Sequence, residues 1–191
     1  GTTDITRVWA IGQITADHKR DYTLVLKGTM AMRRARFPKG TLSPMLDALA
    51  RAPLWAESMD YGHGTGHGVG YFLAVHEGPQ SISKAQPEPT MAMEAGMITS
   101  IEPGLYRPGR WGVRIENLVL NVPAQASEFG EFLEFETLTL CPIDTRCIDV
   151  ALLRADEIAW LNQYHATVRA RLAPRVSGDA LAWLMARTEA L

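Results

Sequence analysis

Two cysteines, Cys141 and Cys147, are too few in 191 residues for a disulfide framework, and they lack the C-x-x-C spacing of a structural zinc site. A reducing compartment is implied. No stretch approaches the roughly 20 apolar residues that span a bilayer. The opening GTTDITRVWA has no basic segment followed by an apolar one, so neither a membrane partner nor a secretory route is expected, and the chain reads as cytoplasmic. Excess charge of one sign is also missing: 19 Lys and Arg face 21 Asp and Glu, a net of -2, which argues against nucleic acid or an anionic lipid surface as partner. A G-x-S-x-G elbow, a Walker A loop and a dinucleotide fingerprint are absent, as are internal repeats. What is there is ordinary globular composition, 47% hydrophobic and 21% charged, enough for one domain or one domain plus a short appendage. Gly1 is not a start methionine, and the chain reads as a fragment.

Along the chain, Thr3–Ile14 reads as a strand from the imperfect alternation of Ile5, Val8, Trp9 and Ile11. From Ala16 to about Arg36 the pattern is helical: Tyr22, Leu24, Val25, Leu26, Met30 and Met32 form an apolar side, and Arg33, Arg34 and Arg36 crowd the end where the helix dipole favours cations. Ser43 and Pro44 read as an N-cap and first position of a second helix, ending near Pro53. The segment YGHGTGHGVG, with five glycines between Tyr61 and Gly70, cannot be helical. Met97–Ile101, Gly112–Val122 and Phe132–Ile143 read as three strands, antiparallel because their connections are too short for helical crossovers. Arg154–Leu172 and Asp179–Leu191 read as amphipathic helices, an added module whose Trp160 and Trp183 suit either a homodimer surface or packing on the sheet.

Four candidate metal ligands lie on distant elements: Asp4, His67, Glu102 and Glu116. Singly, each is as well explained by solvation or a turn. Glu116 is the most informative, because in GVRIENLVL a two-residue period puts it beside Arg114 on one face, with Val113, Ile115 and Asn117 on the other. That face is either solvent or a polar cavity in which Arg114 orients a ligating carboxylate. His63 and His67 are four apart, but glycines on either side of each exclude a helical metal motif and suggest backbone passing close to a ligand or metal. Three carboxylates and an imidazole favour Mn, Fe, Co or Zn over a thiolate-type site.

With these residues in place, the chain resembles the catalytic domain of the Xaa-Pro aminopeptidases (aminopeptidase P), metallopeptidases of the pita-bread fold shared with prolidase, methionine aminopeptidase and creatinase. GTTDITR, HGTGHGVGYFLAVHEGP, EPGLY and GVRIENLVL occur in the family's order and spacing, and FLEFETLTLCPID is similar to its following strand. VHEGP and the helical tail point to the three-domain type. The resemblance implies an α+β pita-bread catalytic domain at 1–145, truncated on its N-terminal side, with a helical extension at 146–191. It places Asp4, His67, Glu102 and Glu116 on metal-ligand positions and His63 and His76 on non-ligating positions that contact substrate.

The family site has a fifth ligand, an aspartate about ten residues before Asp4, which these 191 residues do not contain. Two divalent ions, Mn(II) with Zn or Co as alternatives, are therefore implied for the parent protein, and one ion or none for this chain alone. The implied reaction releases the N-terminal residue of peptides with proline in second position. Glu102 shuttles a proton, His76 bonds the developing oxyanion, and Arg114, His63 and His76 contact substrate. Trp111 and Tyr71 are candidates, with His63, for a shelf under the proline ring. A homodimer is implied as well. Two other readings stay open: a non-catalytic pita-bread scaffold acting as a binding module, and a prolidase-like dipeptidase or creatinase-like enzyme.

Overall fold

The computed structural model describes residues 3–72 and 74–191 and divides the chain into two compact units. Of the described residues, the first comprises 3–6, 24–72 and 74–139, the second 7–23 and 140–191.

The first unit is built on an antiparallel sheet. Helix α1 (Ala16–Arg33) enters it at Leu24 and is followed by β1 (Arg36–Pro38), a 3₁₀ turn (Ser43–Leu46) and α2 (Asp47–Trp55). Short β2 (Gly66–His67) and β3 (Ser81–Ile82) pair with each other. Then come β4 (Ile98–Ile101), the hairpin of β5 (Gly104–Arg107) and β6 (Trp111–Arg114), β7 (Asn117–Pro123) and β8 (Phe132–Thr137). The four-stranded sheet runs β1-β8-β7-β4, antiparallel throughout. Its core contains Met32, Phe37, Leu46, Ala50, Ile82, Met93, Ile101, Val119, Leu133 and Phe135. Helices α1 and α2 touch so closely that a Cβ on Gly28 would sit 2.4 Å from the Ala50 carbonyl oxygen, which only glycine avoids.

The second unit holds α3 (Ala155–Leu172) and α4 (Gly178–Arg187), with Leu161, Val168 and Leu184 buried. Within this unit Arg7 donates to the Cys141 carbonyl at 3.0 Å and to the Tyr164 hydroxyl at 3.0 Å. Trp9 packs on Trp183 with ring centroids 5.2 Å apart.

Several expectations need correction. Thr3–Ile14 is not a strand. Its backbone turns left-handed at Asp4 (φ 47°) and Gly12 (φ 82°), breaking the extended run that a ladder requires. The reading of Gly112–Val122 as one strand fails at Ile115 and Glu116, where β6 leaves its partner β5 and β7 takes up β4. The last strand ends at Thr137 rather than Ile143. Ser43 does not cap a helix: its hydroxyl accepts the Ser81 N–H at 2.9 Å and donates to the Ser81 carbonyl at 3.1 Å, tying the 3₁₀ turn to β3.

Candidate metal centre

All four expected ligands lie in the first unit, and the fold gathers them. The approach of β2 to β4 does most of this. A Cβ on Gly66 would fall 2.0 Å from the Ser100 carbonyl oxygen, so only glycine lets β2 sit this close, and the next residue is His67. The His67 N–H donates to Ser100 Oγ at 3.0 Å, and that hydroxyl donates to Glu102 Oε1 at 3.2 Å. The Glu102 N–H in turn donates to the Thr65 carbonyl at 2.7 Å. Glu116, at the crossing from β6 to β7, is 2% exposed and accepts the Thr6 hydroxyl on Oε2 at 2.6 Å. The Glu116 N–H donates to the Thr6 carbonyl at 3.1 Å, which brings the N-terminal segment, and with it Asp4, onto the site.

His67 Nε2 lies 3.2 Å from Glu102 Oε1 and 3.3 Å from Asp4 Oδ2. Two sets of donor atoms each fall within 4.8 Å of one another: Asp4, His67 and His76, and His67, Glu102 and Glu116. Glu116 is buried beside these groups and does not face solvent. These residues fit a divalent cation. Asp4 Oδ2 and His67 Nε2 are buried and make no hydrogen bond. In neutral His67, the Nδ1–H···O contact of 2.9 Å to the Gly68 carbonyl leaves the Nε2 lone pair facing the carboxylates, the orientation a metal-binding imidazole needs. Asp4 is held at a positive φ that an aspartate tolerates but seldom adopts, a strain typical of functional positions.

The electrostatics agree. Burial, with Glu102 and Asp4 close by, holds the Glu116 carboxyl above the usual carboxylate range, against the pull of the Thr6 hydrogen bond. Burial also disfavours charge on Glu102 and on His67, but their close approach and mutual attraction win, lowering the Glu102 pKa and raising that of His67. Negative charge is concentrated here with an imidazole as its nearest counterweight.

The accessory residues are arranged around this centre. The His76 ring meets His67 edge-on, centroids 4.2 Å apart at 88°, so its donor atoms stand beside the ligands as well as on the solvent side. His63 is not in the cluster but is wired to it: its Nδ1 bonds the Gly64 carbonyl at 2.8 Å and its Nε2 bonds the Tyr106 hydroxyl at 2.8 Å. Arg114 Nε donates to the same hydroxyl at 3.0 Å, and Arg114 Nη1 is 3.5 Å from Glu102 Oε2. The small cavity beside His63, about 280 Å³, is lined by Arg51, Tyr61, Gly62, Gly64, Lys84 and Ala85, with neither Trp111 nor Tyr71 among them.

Sequence reasoning missed Tyr106, Thr6 and Ser100. Tyr106 had a signal, because Gly104 two residues before it and Gly112 opposite it leave the space its ring occupies. Thr6 and Ser100 had none, being ordinary hydroxyls until the fold places them against carboxylates.

Residues 1–122 match the model of metallopeptidase family M24, and residues 131–191 match the C-terminal region of peptidase M24. The chain is 46% identical over 189 residues to a probable Xaa-Pro aminopeptidase P of Laccaria bicolor, covering 96% of this chain and 29% of the relative. It is 45% identical over 192 residues to aminopeptidase P1 of Arabidopsis thaliana, covering 99% and 30%. Among solved structures, the X-prolyl aminopeptidase of Caenorhabditis elegans, described as a cytosolic enzyme with a di-nuclear active site, is 41% identical with a TM-score of 0.92, covering 100% of this chain and 32% of that one. The Xaa-Pro dipeptidase of Bacillus anthracis is 31% identical with a TM-score of 0.59, covering 73% and 36%. The chain thus spans about 30% of the length of the curated relatives it matches. Its fold is the α+β pita-bread fold, and the chain belongs to metallopeptidase family M24.

Proposed function

We propose that the full-length protein carrying this chain is a metal-dependent aminopeptidase that releases the N-terminal residue from peptides with proline in second position. The observation that carries this reading is that His67 stands within 3.3 Å of Asp4 and 3.2 Å of Glu102 and shares a donor group with Glu102 and Glu116, in a chain about 45% identical to proteins named for that activity. Divalent cations held there would lower the pKa of water and polarise the scissile carbonyl. Mn(II) suits the oxygen-rich donors, with Zn and Co as alternatives. Two ions belong to the full-length protein. This chain, with one imidazole and three carboxylates, holds one ion or none by itself, and metal analysis finding two tightly bound ions per chain would refute that.

The side chains have separate tasks. Glu102, 3.2 Å from His67 and 3.5 Å from Arg114, takes the proton of the attacking water and returns it to the leaving prolyl nitrogen. His76, on the exposed side of His67, donates a hydrogen bond to the tetrahedral oxyanion. His63 and Arg114, joined through Tyr106, contact the peptide on its proline side.

The dipeptidase alternative is less well supported: the match to the X-prolyl aminopeptidase fold runs over the whole chain, that to the Bacillus dipeptidase over 73% of it. A non-catalytic scaffold has no reason to keep four converging ligands and both accessory histidines. A cytosolic location is part of the proposal, supported by the description of the Caenorhabditis enzyme. A homodimer is part of the proposal, with Trp183, 46% exposed, on its candidate surface. The test is hydrolysis of Arg-Pro-Pro by the full-length protein with and without Mn(II), beside an Xaa-Pro dipeptide and creatine. Metal-dependent cleavage of the tripeptide is expected; preference for the dipeptide or creatine supports the related enzymes, and no turnover of any of the three supports the scaffold.

A further inference from the structure

His63 stands in a stretch where Gly62, Gly64 and Gly66 alternate with other residues, and such a backbone has little of its own to hold one conformation. The hold comes from outside. Arg51, in α2 and 1% exposed, donates from Nη2 to the His63 carbonyl at 2.6 Å and from Nη1 to the Tyr61 carbonyl at 2.8 Å, gripping both residues that flank Gly62. Nη1 also reaches Asp60 Oδ1 at 2.7 Å, Nε reaches Asp47 Oδ2 at 2.6 Å, and the guanidinium lies 3.9 Å from the centroid of the Tyr61 ring. Asp47 extends the grip, because its Oδ1 accepts the Thr65 hydroxyl at 2.5 Å, and Thr65 lends its carbonyl to the Glu102 N–H at 2.7 Å.

Charge balance alone does not demand this arrangement. Asp47, one turn before Arg51, already supplies a counter-charge, and Asp60 is also paired with Lys84. What the guanidinium adds is geometry: a planar fork meeting four acceptors in fixed directions, which an ammonium group cannot copy.

We propose that Arg51 is the positioning residue for His63, fixing the backbone of residues 61–65 so that the imidazole is held against Tyr106. What His63 then does to substrate rests on the peptidase reading. The grip itself rests on the contacts above.

Arg51→Lys keeps a positive charge beside Asp47 and gives up the fork. In the full-length protein, R51K should lose about tenfold in kcat/KM on Arg-Pro-Pro, the size expected for a lost charge-assisted hydrogen bond. The loss should fall mainly on KM. In a His63→Ala background the same change should cost less than about twofold, because the side chain being positioned is gone. An equal loss in both backgrounds would overturn the proposal. If R51K fails to fold, Arg51→Gln faces the same comparison. Amide hydrogen exchange reads the grip without turnover: residues 62–65 should exchange faster in the variant, and unchanged exchange overturns the proposal. If wild type cleaves no Xaa-Pro peptide, the peptidase reading fails while the exchange comparison still decides on Arg51.

Discussion

Thr6 donates its hydroxyl to Glu116 at 2.6 Å across 110 residues of chain, and its carbonyl accepts the Glu116 N–H at 3.1 Å. One threonine, two positions after Asp4, therefore fixes the side chain and the backbone of a second candidate ligand. Partners that orient metal ligands typically change metal affinity tenfold to a hundredfold when removed. Thr6→Val keeps the shape and deletes the hydroxyl, so Mn(II) affinity measured by calorimetry on the full-length protein should fall by about tenfold to a hundredfold. Unchanged affinity would mean that Glu116 is held without Thr6.

His76→Ala removes the imidazole packed edge-on against His67. As an oxyanion donor its loss should lower kcat on Arg-Pro-Pro by on the order of a hundredfold or more. An unchanged kcat removes that assignment. The accompanying metal analysis separates it from a ligand role, which the 4.8 Å grouping with Asp4 and His67 also permits.

Gly66 in β2 and Gly62 before it should respond differently to alanine. A Cβ on Gly66 would lie 2.0 Å from the Ser100 carbonyl oxygen, whereas one on Gly62 would meet nothing within 4 Å. Gly66→Ala should cost about 1–3 kcal/mol in urea unfolding, as overpacking does. Gly62→Ala should stay within about 0.5 kcal/mol, as at most open positions. Equal effects would show that β2 and β4 are not in the close contact that brings His67 to Glu102.

How much of this was legible in the sequence varied by element. The helix from Ala16, the three principal strands and their antiparallel pairing followed from apolar periodicity and glycine-proline punctuation, because those features report burial directly. The segment 3–14 misled for the same reason: its alternating apolar residues are placed not by a ladder but by contacts such as Trp9 on Trp183 and the Arg7 side chain on the Cys141 carbonyl, distant partners that local pattern cannot encode. At the site, the ligand-type residues were visible as chemistry. Tyr106, Thr6 and Ser100 were not, because their roles exist only once separate strands meet.

The second unit offers a test of stability against pH. His165 is 1% exposed, and its Nε2 accepts the Ile143 N–H at 3.0 Å, so a proton there would face a donor. Burial, reinforced by the nearby Arg7 and Arg169 charges, pushes its pKa down to about 4. With an unfolded value near 6.5, the unfolded chain takes up the proton first as pH falls. The contribution of His165 to stability is therefore complete above about pH 6.5 and is lost progressively towards pH 4, about 3 kcal/mol in all. His165→Gln should flatten the stability profile in that window in urea unfolding series; an identical slope in wild type and variant would contradict this.

Asp4, His67, Glu102 and Glu116, dispersed along the polypeptide, are proposed to bind one cation together. Anomalous diffraction at the manganese edge from a crystal of the 191-residue chain soaked in Mn(II) tests it directly. At most one peak is expected, within bonding distance of all four side chains. A peak elsewhere, or four side chains directed away from any common centre, would contradict it.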